Sequence, residues 1–223
     1  MSVAAIAKMR ARMARWEPNA RGRLEQAALE LFKQRGYSRT TVEEIAARAG
    51  LTERTFFRYF PDKREVLFWG SGTLQKVIVD AIAAAPKPAS ALDAVAAALE
   101  AVAAIMPRPR EYARTRQALI AAHAELQERE LIKLRSLASA ASEALRGRGI
   151  PEPAASLAAE AGIAVLKVAY ERWIDDSGPR ELSHHVRQAL GELKAMAADA
   201  HIATATSRPK SEARRKTGRR VQA

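Results

Sequence analysis

Residues 40–63, TTVEEIAARAGLTERTFFRYFPDK, leave a chain of 223 residues few ways to fold. Val42, Ile45, Ala46 and Ala49 recur at the spacing that lays one apolar stripe along a helix. Gly50 then supplies the backbone freedom that a helix-to-helix corner needs. Leu51 dips back toward a core, and Thr52 is placed to cap a new helix. That helix, Glu53 to Tyr59, is short and carries large side chains on both faces. Phe56 and Phe60 stand one turn apart and can pack inward, which leaves Thr55, Phe57, Arg58 and Tyr59 looking outward. A single short helix that presents Thr, Phe, Arg and Tyr has reason to do so only if that face docks on something. A helix-turn-helix that lays its second helix in the DNA major groove has such a reason.

The spacing around this corner predicts an all-helical chain of about nine helices. The first helix runs from near Arg21 to Gly36, with Leu24, Ala28, Leu31 and Phe32 on its inner face. Thr40 or Thr41 caps the second, whose first turn holds Glu43 and Glu44, where the helix dipole favours negative charge. Asp62 caps a fourth helix that carries Val66, Leu67, Leu74, Val77, Ile78 and Ile82 as far as Ala85, with a domain boundary buried inside it. Ser90 opens a fifth that stops at the Pro107/Pro109 pair, and a sixth covers Glu111 to Ala121. A long seventh spans Glu125 to Leu145 before Gly147 and Gly149. Pro151 and Pro153 open the eighth, which closes near Ser177-Gly178-Pro179, and the ninth covers Glu181 to Ile202. The expected organisation is a basic arm over residues 1–20, a helix-turn-helix domain over 21–68, a larger helical domain over 69–205 and a basic tail over 206–223.

The segment from Arg21 to Phe68 closely resembles the DNA-binding domain of the TetR family of bacterial transcriptional regulators. The resemblance rests on the TT-x-x-x-I-A-x-x-A-G stretch at Thr40 to Gly50 and the F-F-x-Y-F-x-x-K stretch at Phe56 to Lys63. The ELQERELIKL segment, Glu125 to Leu134, is similar to the branch of that family with acyl-CoA-like ligand-binding domains. Membership would imply a homodimer, double-stranded DNA as partner, a small-molecule effector and a cytoplasmic location.

Charge distribution bears on the same reading. The formal net charge is +12, yet residues 1–23 hold +5 and residues 201–223 hold +6, so the body between is nearly neutral. Such tails are ordinarily solvated, and beside a DNA reader they can add a salt-sensitive attraction to phosphate. The candidates are Lys8, Arg10, Arg12 and Arg15 at one end and Arg208 to Arg220 at the other. The chain contains no cysteine, which excludes disulfides, zinc-thiolate knuckles and thiol catalysis. No apolar run approaches the roughly 20 residues needed to span a bilayer, so no membrane partner is expected. No nucleophile–base pair or metal-ligand set stands out, so neither an enzyme nor a cofactor is expected.

Individual residues of the reader can be assigned roles. Arg58 can grip a guanine edge or a phosphate with two hydrogen bonds. Thr52 and Thr55 can donate to phosphate or meet a thymine methyl, and Tyr59 can set its hydroxyl on a phosphate. Thr41 and Lys63, each at the start of a helix, are placed for phosphate contacts that fix register without reading sequence. Arg54 belongs to the same set. Phe57 departs from the tyrosine common in the family, exchanging a phosphate hydrogen bond for apolar contact with a thymine methyl or a sugar. Glu53 reads either as an acceptor for a cytosine amino group or as a helix-start carboxylate.

In the larger domain Tyr112, Arg116, His123, Tyr170 and Trp173 fall in apolar helical surroundings, the mixture that lines ligand pockets. Met106 and Leu119 are candidate pocket walls. The Arg108, Arg110, Arg114, Arg116 run reads either as an ordinary charged helix face or as a lining that favours an anionic ligand such as an acyl-CoA. Two apolar stripes suggest pairing into a four-helix bundle across a two-fold axis. One is Ala154, Ala158, Ala161, Gly162 and Val165; the other is Leu182, Val186, Leu190, Leu193 and Ala197. The sequence therefore points to a ligand-responsive, homodimeric repressor released from a palindromic operator. Its rival is an architectural protein that coats DNA through basic tails.

Overall fold

The computed structural model of the chain describes residues 19–106 and 109–206. The tail cations Lys8, Arg10, Arg12, Arg15 and Arg208 to Arg220, and Arg108, lie outside those residues. The described residues form nine α-helices and no strand, as the spacing predicts. They are α1 (Ala20–Arg35), α2 (Val42–Arg48), α3 (Glu53–Tyr59), α4 (Ser71–Ala84), α5 (Ala91–Ile105), α6 (Arg110–Ala122), α7 (Ala124–Gly147), α8 (Ala154–Asp175) and α9 (Leu182–Thr206).

Local chemistry explains most boundaries. The Asn19 side chain accepts from the Gly22 amide at the head of α1, and Gly36 ends that helix at φ 82°. Thr41 and Glu44 form a reciprocal capping box on α2. Gly50 sits at φ 66°, and the Gly50 and Leu51 amides donate back to the Ala47 and Ala46 carbonyls. This left-handed closure favours a residue without a Cβ. Thr52 accepts from the Thr55 amide to start α3, and Ser90 does the same for Asp93 at α5.

The expected continuous helix from Asp62 to Ala85 is broken. Asp62 does cap a turn, accepting from the Arg64 and Glu65 amides, but that turn is a 3-10 segment, Arg64–Leu67. The chain then bends through Phe68–Gly70 before α4 begins at Ser71. Long-range contacts hold the interrupted segment. Arg129 and Lys133 of α7 both donate to the Glu65 carboxylate, the lysine at 2.9 Å, and Arg116 of α6 donates to the Leu67 carbonyl at 2.8 Å.

Two apolar cores result. The N-terminal core gathers Leu24, Leu31, Phe32, Tyr37, Ile45, Phe56, Phe60 and Val66, and it also takes in Ile120 from α6 and Leu126 from α7. The larger core is built from α4 to α9 around Ile82, Leu99, Val102, Leu145, Ala169 and Val186. In it α4 lies on α5 and α7, and α8 lies between α7 and α9. Arg148 closes the tail of α4, donating to the carbonyls of Ile82, Ala85 and Pro86.

The stripes read from sequence as a pairing surface face the chain's own core. Gly162, Val165, Leu182 and Val186 are buried, and Ala158, Leu190 and Leu193 pack against the larger core. A Cβ added at Gly162 would stand 2.4 Å from Cγ1 of Val95, so glycine is what lets α8 approach α5. Of the two stripes, Ala154 and Ala197 are exposed and Ala161 is half-buried. The exposed apolar side chains of α8 and α9 are others: Leu157 (67%), Val168 (39%) and Met196 (63%).

Candidate nucleic-acid interface and effector cavity

The geometry of α3 follows from its two inward aromatic residues. Phe56 and Phe60 are essentially inaccessible, at 0% and 1%, with ring centroids 5.4 Å apart. Burying two such side chains fixes the rotation of a helix only seven residues long. The opposite face must then be presented to solvent. Phe57 is 53% exposed, and Thr52, Glu53, Arg54 and Arg58 are exposed while Thr55 and Tyr59 are partly so. The Arg58 guanidinium lies 5.0 Å from the centre of the Tyr59 ring and donates to its hydroxyl at 3.2 Å. Tyr59 is itself packed against the N-terminal core, with Arg21 5.6 Å from its ring. A guanidinium held on a tyrosine face is restrained before any partner arrives.

The Thr41 and Thr52 hydroxyls accept the capping amides of Glu44 and Thr55, and the Thr52 and Thr55 hydroxyls share one hydrogen bond at 3.1 Å, so Thr41 and one of that pair keep a proton to donate. Lys63 differs from expectation. Its ammonium donates to the carbonyls of Tyr37 at 3.0 Å and Thr40 at 3.1 Å, and lies 4.3 Å from the centre of the Tyr37 ring. It ties the α1–α2 connection to the end of α3 rather than facing outward with the reader.

The seven residues proposed for the larger domain do not all meet. Met106, Tyr112, Arg116, Tyr170 and Trp173 line one cavity of about 290 Å³ between α4, α6, α7 and α8. Leu119 and His123 lie elsewhere. Leu119 packs on the N-terminal core, and His123 stands with its ring 5.1 Å from Tyr37 at the α6–α7 junction. The cavity has mostly apolar walls and reaches the bend at Phe68–Gly70, so its floor touches the connection between the two cores.

The arginine run has a structural role at two positions. Arg110 donates to the carbonyls of Asp176, Gly178 (2.7 Å) and Arg180 (2.6 Å). Arg114 donates to those of Ile174 and Asp176. Both neutralise the carbonyl end of α8, where a cation is favoured. Asp176 beside them is drawn down to about 2, first by the Gly178 amide and then by Arg180.

Sequence reading missed the Glu65 cluster. Burial opposes charge on this carboxyl, but hydrogen bonds from Arg129 and Lys133 outweigh it and hold Glu65 below its ordinary range. The available signals were a lone Glu ahead of the apolar run Val66-Leu67-Phe68, and two cations four residues apart on α7, which share a face.

Comparison with known proteins agrees with this architecture. Residues 25–68 match the family model described as bacterial regulatory proteins, tetR family, and residues 89–198 match the one described as MftR C-terminal domain. The chain is 38% identical over 82 residues to the HTH-type transcriptional regulator TcmR of Streptomyces glaucescens, covering 37% of this chain and 36% of that protein. It is 43% identical over 42 residues to the uncharacterized HTH-type transcriptional regulator YuxN of Bacillus subtilis, covering 19% of this chain and 14% of that one. It thus spans about a third or less of the curated relatives it matches. In fold it is similar to the transcriptional regulator FadR from Bacillus subtilis solved in complex with stearoyl-CoA. That likeness has a TM-score of 0.53 at 17% identity, over 76% of this chain and 95% of that one. With one match over the helix-turn-helix and another over the helical body, the chain belongs to the TetR family of bacterial regulatory proteins.

Proposed function

We propose that the protein is a homodimeric repressor that leaves a palindromic operator when a small molecule enters the helical body. In this reading residues 21–68 are the DNA-binding domain and residues 69–205 the ligand-binding and dimerisation domain. The observation that carries it is the α3 face, held outward by the buried pair Phe56 and Phe60. Arg58, Arg54, Phe57 and Thr55 reach base edges, while Thr41, Thr52 and Tyr59 meet phosphates and Glu53 flanks the reader. One seven-residue helix offers too few contacts for specific binding. Two copies placed about 34–36 Å apart would read successive major grooves.

The two-fold contact is formed by the outer faces of α8 and α9, where Leu157, Val168 and Met196 are exposed. The effector occupies the cavity that Met106, Tyr112, Arg116, Tyr170 and Trp173 line. It favours release only in so far as it binds the off-DNA arrangement better than the DNA-bound one. The site of action is the cytoplasm, and among the described residues no helix is long and apolar enough to cross a membrane.

Footprinting on the intergenic DNA upstream of the gene tests this. Protection of one short symmetric site, in phase with a two-fold dimer, is expected. Featureless coverage would instead mark a protein that coats DNA through its basic ends.

A further inference from the structure

The effector cavity and the DNA reader share two cationic side chains. Lys133 and Arg116 both line the cavity. Each also holds the segment that leads out of the reader, Lys133 through the Glu65 carboxylate at 2.9 Å and Arg116 through the Leu67 carbonyl at 2.8 Å. Neither cation is fully sealed away, with side-chain exposures of 23% and 18%. Arg116 also donates to the Glu130 carboxylate at 3.3 Å, so an anion entering the cavity draws on cations already committed to acceptors of the protein itself. Glu65, by contrast, is buried and lies behind Lys133, outside the cavity wall. Its second partner, Arg129, does not line the cavity either. The charged lining is Arg116, Lys133 and Lys167 against Glu130 and Glu171, a small cationic excess on otherwise apolar walls.

We infer that the effector is an apolar molecule with an anionic head, and that its head competes with the protein's own Glu65 for Lys133. This rests on the cavity being the effector site of the proposed repressor. A carboxylate at the cavity floor accepts from Lys133 and Arg116, the donors that now steady the 3-10 turn Arg64–Leu67. Glu65 is then left with Arg129 as its cationic partner, and the Leu67 carbonyl loses its tie to α6. Binding in the cavity is thereby converted into slack in the one segment that carries the position of α3 to α4. The coupling is reciprocal, so whatever clamps that turn lowers the affinity for the anion. An uncharged molecule of the same shape fills the apolar walls and leaves the turn in place. A cationic head meets Lys133 and Arg116 as like charges.

The test uses the full chain and three probes with the same tail: decanoate, decanol and decylamine, at a pH where the acid is ionised. Trp69 and Trp173, two of the chain's three tryptophans, line the cavity and report occupancy by fluorescence. Decanoate is expected to bind roughly tenfold or more tightly than decanol, the difference that charge-assisted hydrogen bonds supply. Lys133→Gln should abolish that preference. Glu65→Gln should tighten decanoate by roughly fivefold or more, because it removes the internal competitor, and should leave decanol unchanged. A purely structural Glu65 would weaken both. Amide exchange over residues 64–70 should quicken with decanoate and not with decanol. If decanol equals decanoate in the unmodified protein, the head-group inference falls while the cavity keeps its role as effector site. If Glu65→Gln weakens decanoate in a protein whose circular dichroism is unchanged, the competition falls. Silence from all three probes overturns the inference and leaves the repressor reading to the footprint.

Discussion

The ammonium of Lys63 stands 3.0 Å from the carbonyl oxygen of Tyr37 and 4.3 Å from the centre of the same residue's ring. One cation thereby closes the α1–α2 connection onto the end of the reader, donating also to the Thr40 carbonyl at 3.1 Å. Lys63→Met keeps the length of the stem and removes the donors. Stability should fall by about 1–3 kcal/mol, the cost of losing hydrogen bonds from a charged donor. Thermal unfolding measures this, and a melting temperature equal to that of the parent would show that the contact contributes little.

Arg58→Ala should weaken operator binding by roughly 1–3 kcal/mol without altering the fold. The guanidinium projects from the exposed face and makes its contacts with Tyr59, so its loss leaves no cavity in the core. Gel-shift titration against the footprinted site, alongside circular dichroism, separates the two effects. Equal affinity would remove Arg58 from the reader.

Gly162→Ala puts a methyl where Val95 already is. The overlap, 2.4 Å to Cγ1, must be relieved by moving α8 from α5 or by forcing Val95 off its rotamer. A loss of about 1–3 kcal/mol is expected. Val95→Ala in the same chain should recover much of it, and a double-mutant cycle in denaturant gives the coupling. Additive losses would mean that the two side chains do not meet.

Leu157→Glu should leave the subunit folded, since the residue is 67% exposed, and should split the dimer by placing two carboxylates near the symmetry axis. Light scattering at micromolar concentration would then report the monomer mass. An unchanged dimer would move the contact to another face.

Asp176 carries a pH dependence of definite sign. Its folded value is drawn from 3.8 down to about 2 by the Gly178 amide and by Arg180. The carboxylate therefore adds stability that is complete above about pH 4 and is lost as the pH falls toward 2. Burial also lowers His185, which faces Asp176 at 3.1 Å. That shift has the same sense but acts at higher pH, below about 6.5. Melting temperatures of Asp176→Asn should decline less steeply below pH 4 than those of the parent. Parallel curves would show that the loop after α8 does not depend on this charge.

What could be read from the chain beforehand divides by the range of the interactions concerned. The reader was legible because every determinant lies within 24 residues: the stripe Val42, Ile45, Ala46, Ala49, the positive-φ glycine at 50, and the pair Phe56, Phe60. Helix periods and caps gave the nine helices for the same reason. The break at Gly70 was not legible. The 3-10 turn before it is held by Glu65 meeting Arg129 and Lys133, partners more than sixty residues away whose separate charges each look like solvated surface. The pairing stripe went astray for a related reason. A helix such as α8 has apolar residues on two sides, and periodicity does not say which side meets α5 and which meets solvent. The packing of α8 into the larger core, tightest where Gly162 meets Val95, decides it. Five of the seven cavity candidates converged, whereas Leu119 and His123 were drawn to the other core by the turn between α6 and α7.

That turn has a practical consequence. Ile120 and Leu126 come from the body of the protein yet are fully enclosed among the residues of the reader, at 1% and 0% exposure. A fragment cut after Phe68 would lose both plugs and open an oily hole beneath α1. Grafting this DNA-reading head onto a foreign sensor therefore calls for transplanting the elbow at His123 as well. Without it, the chimera inherits a lid that no longer fits its jar.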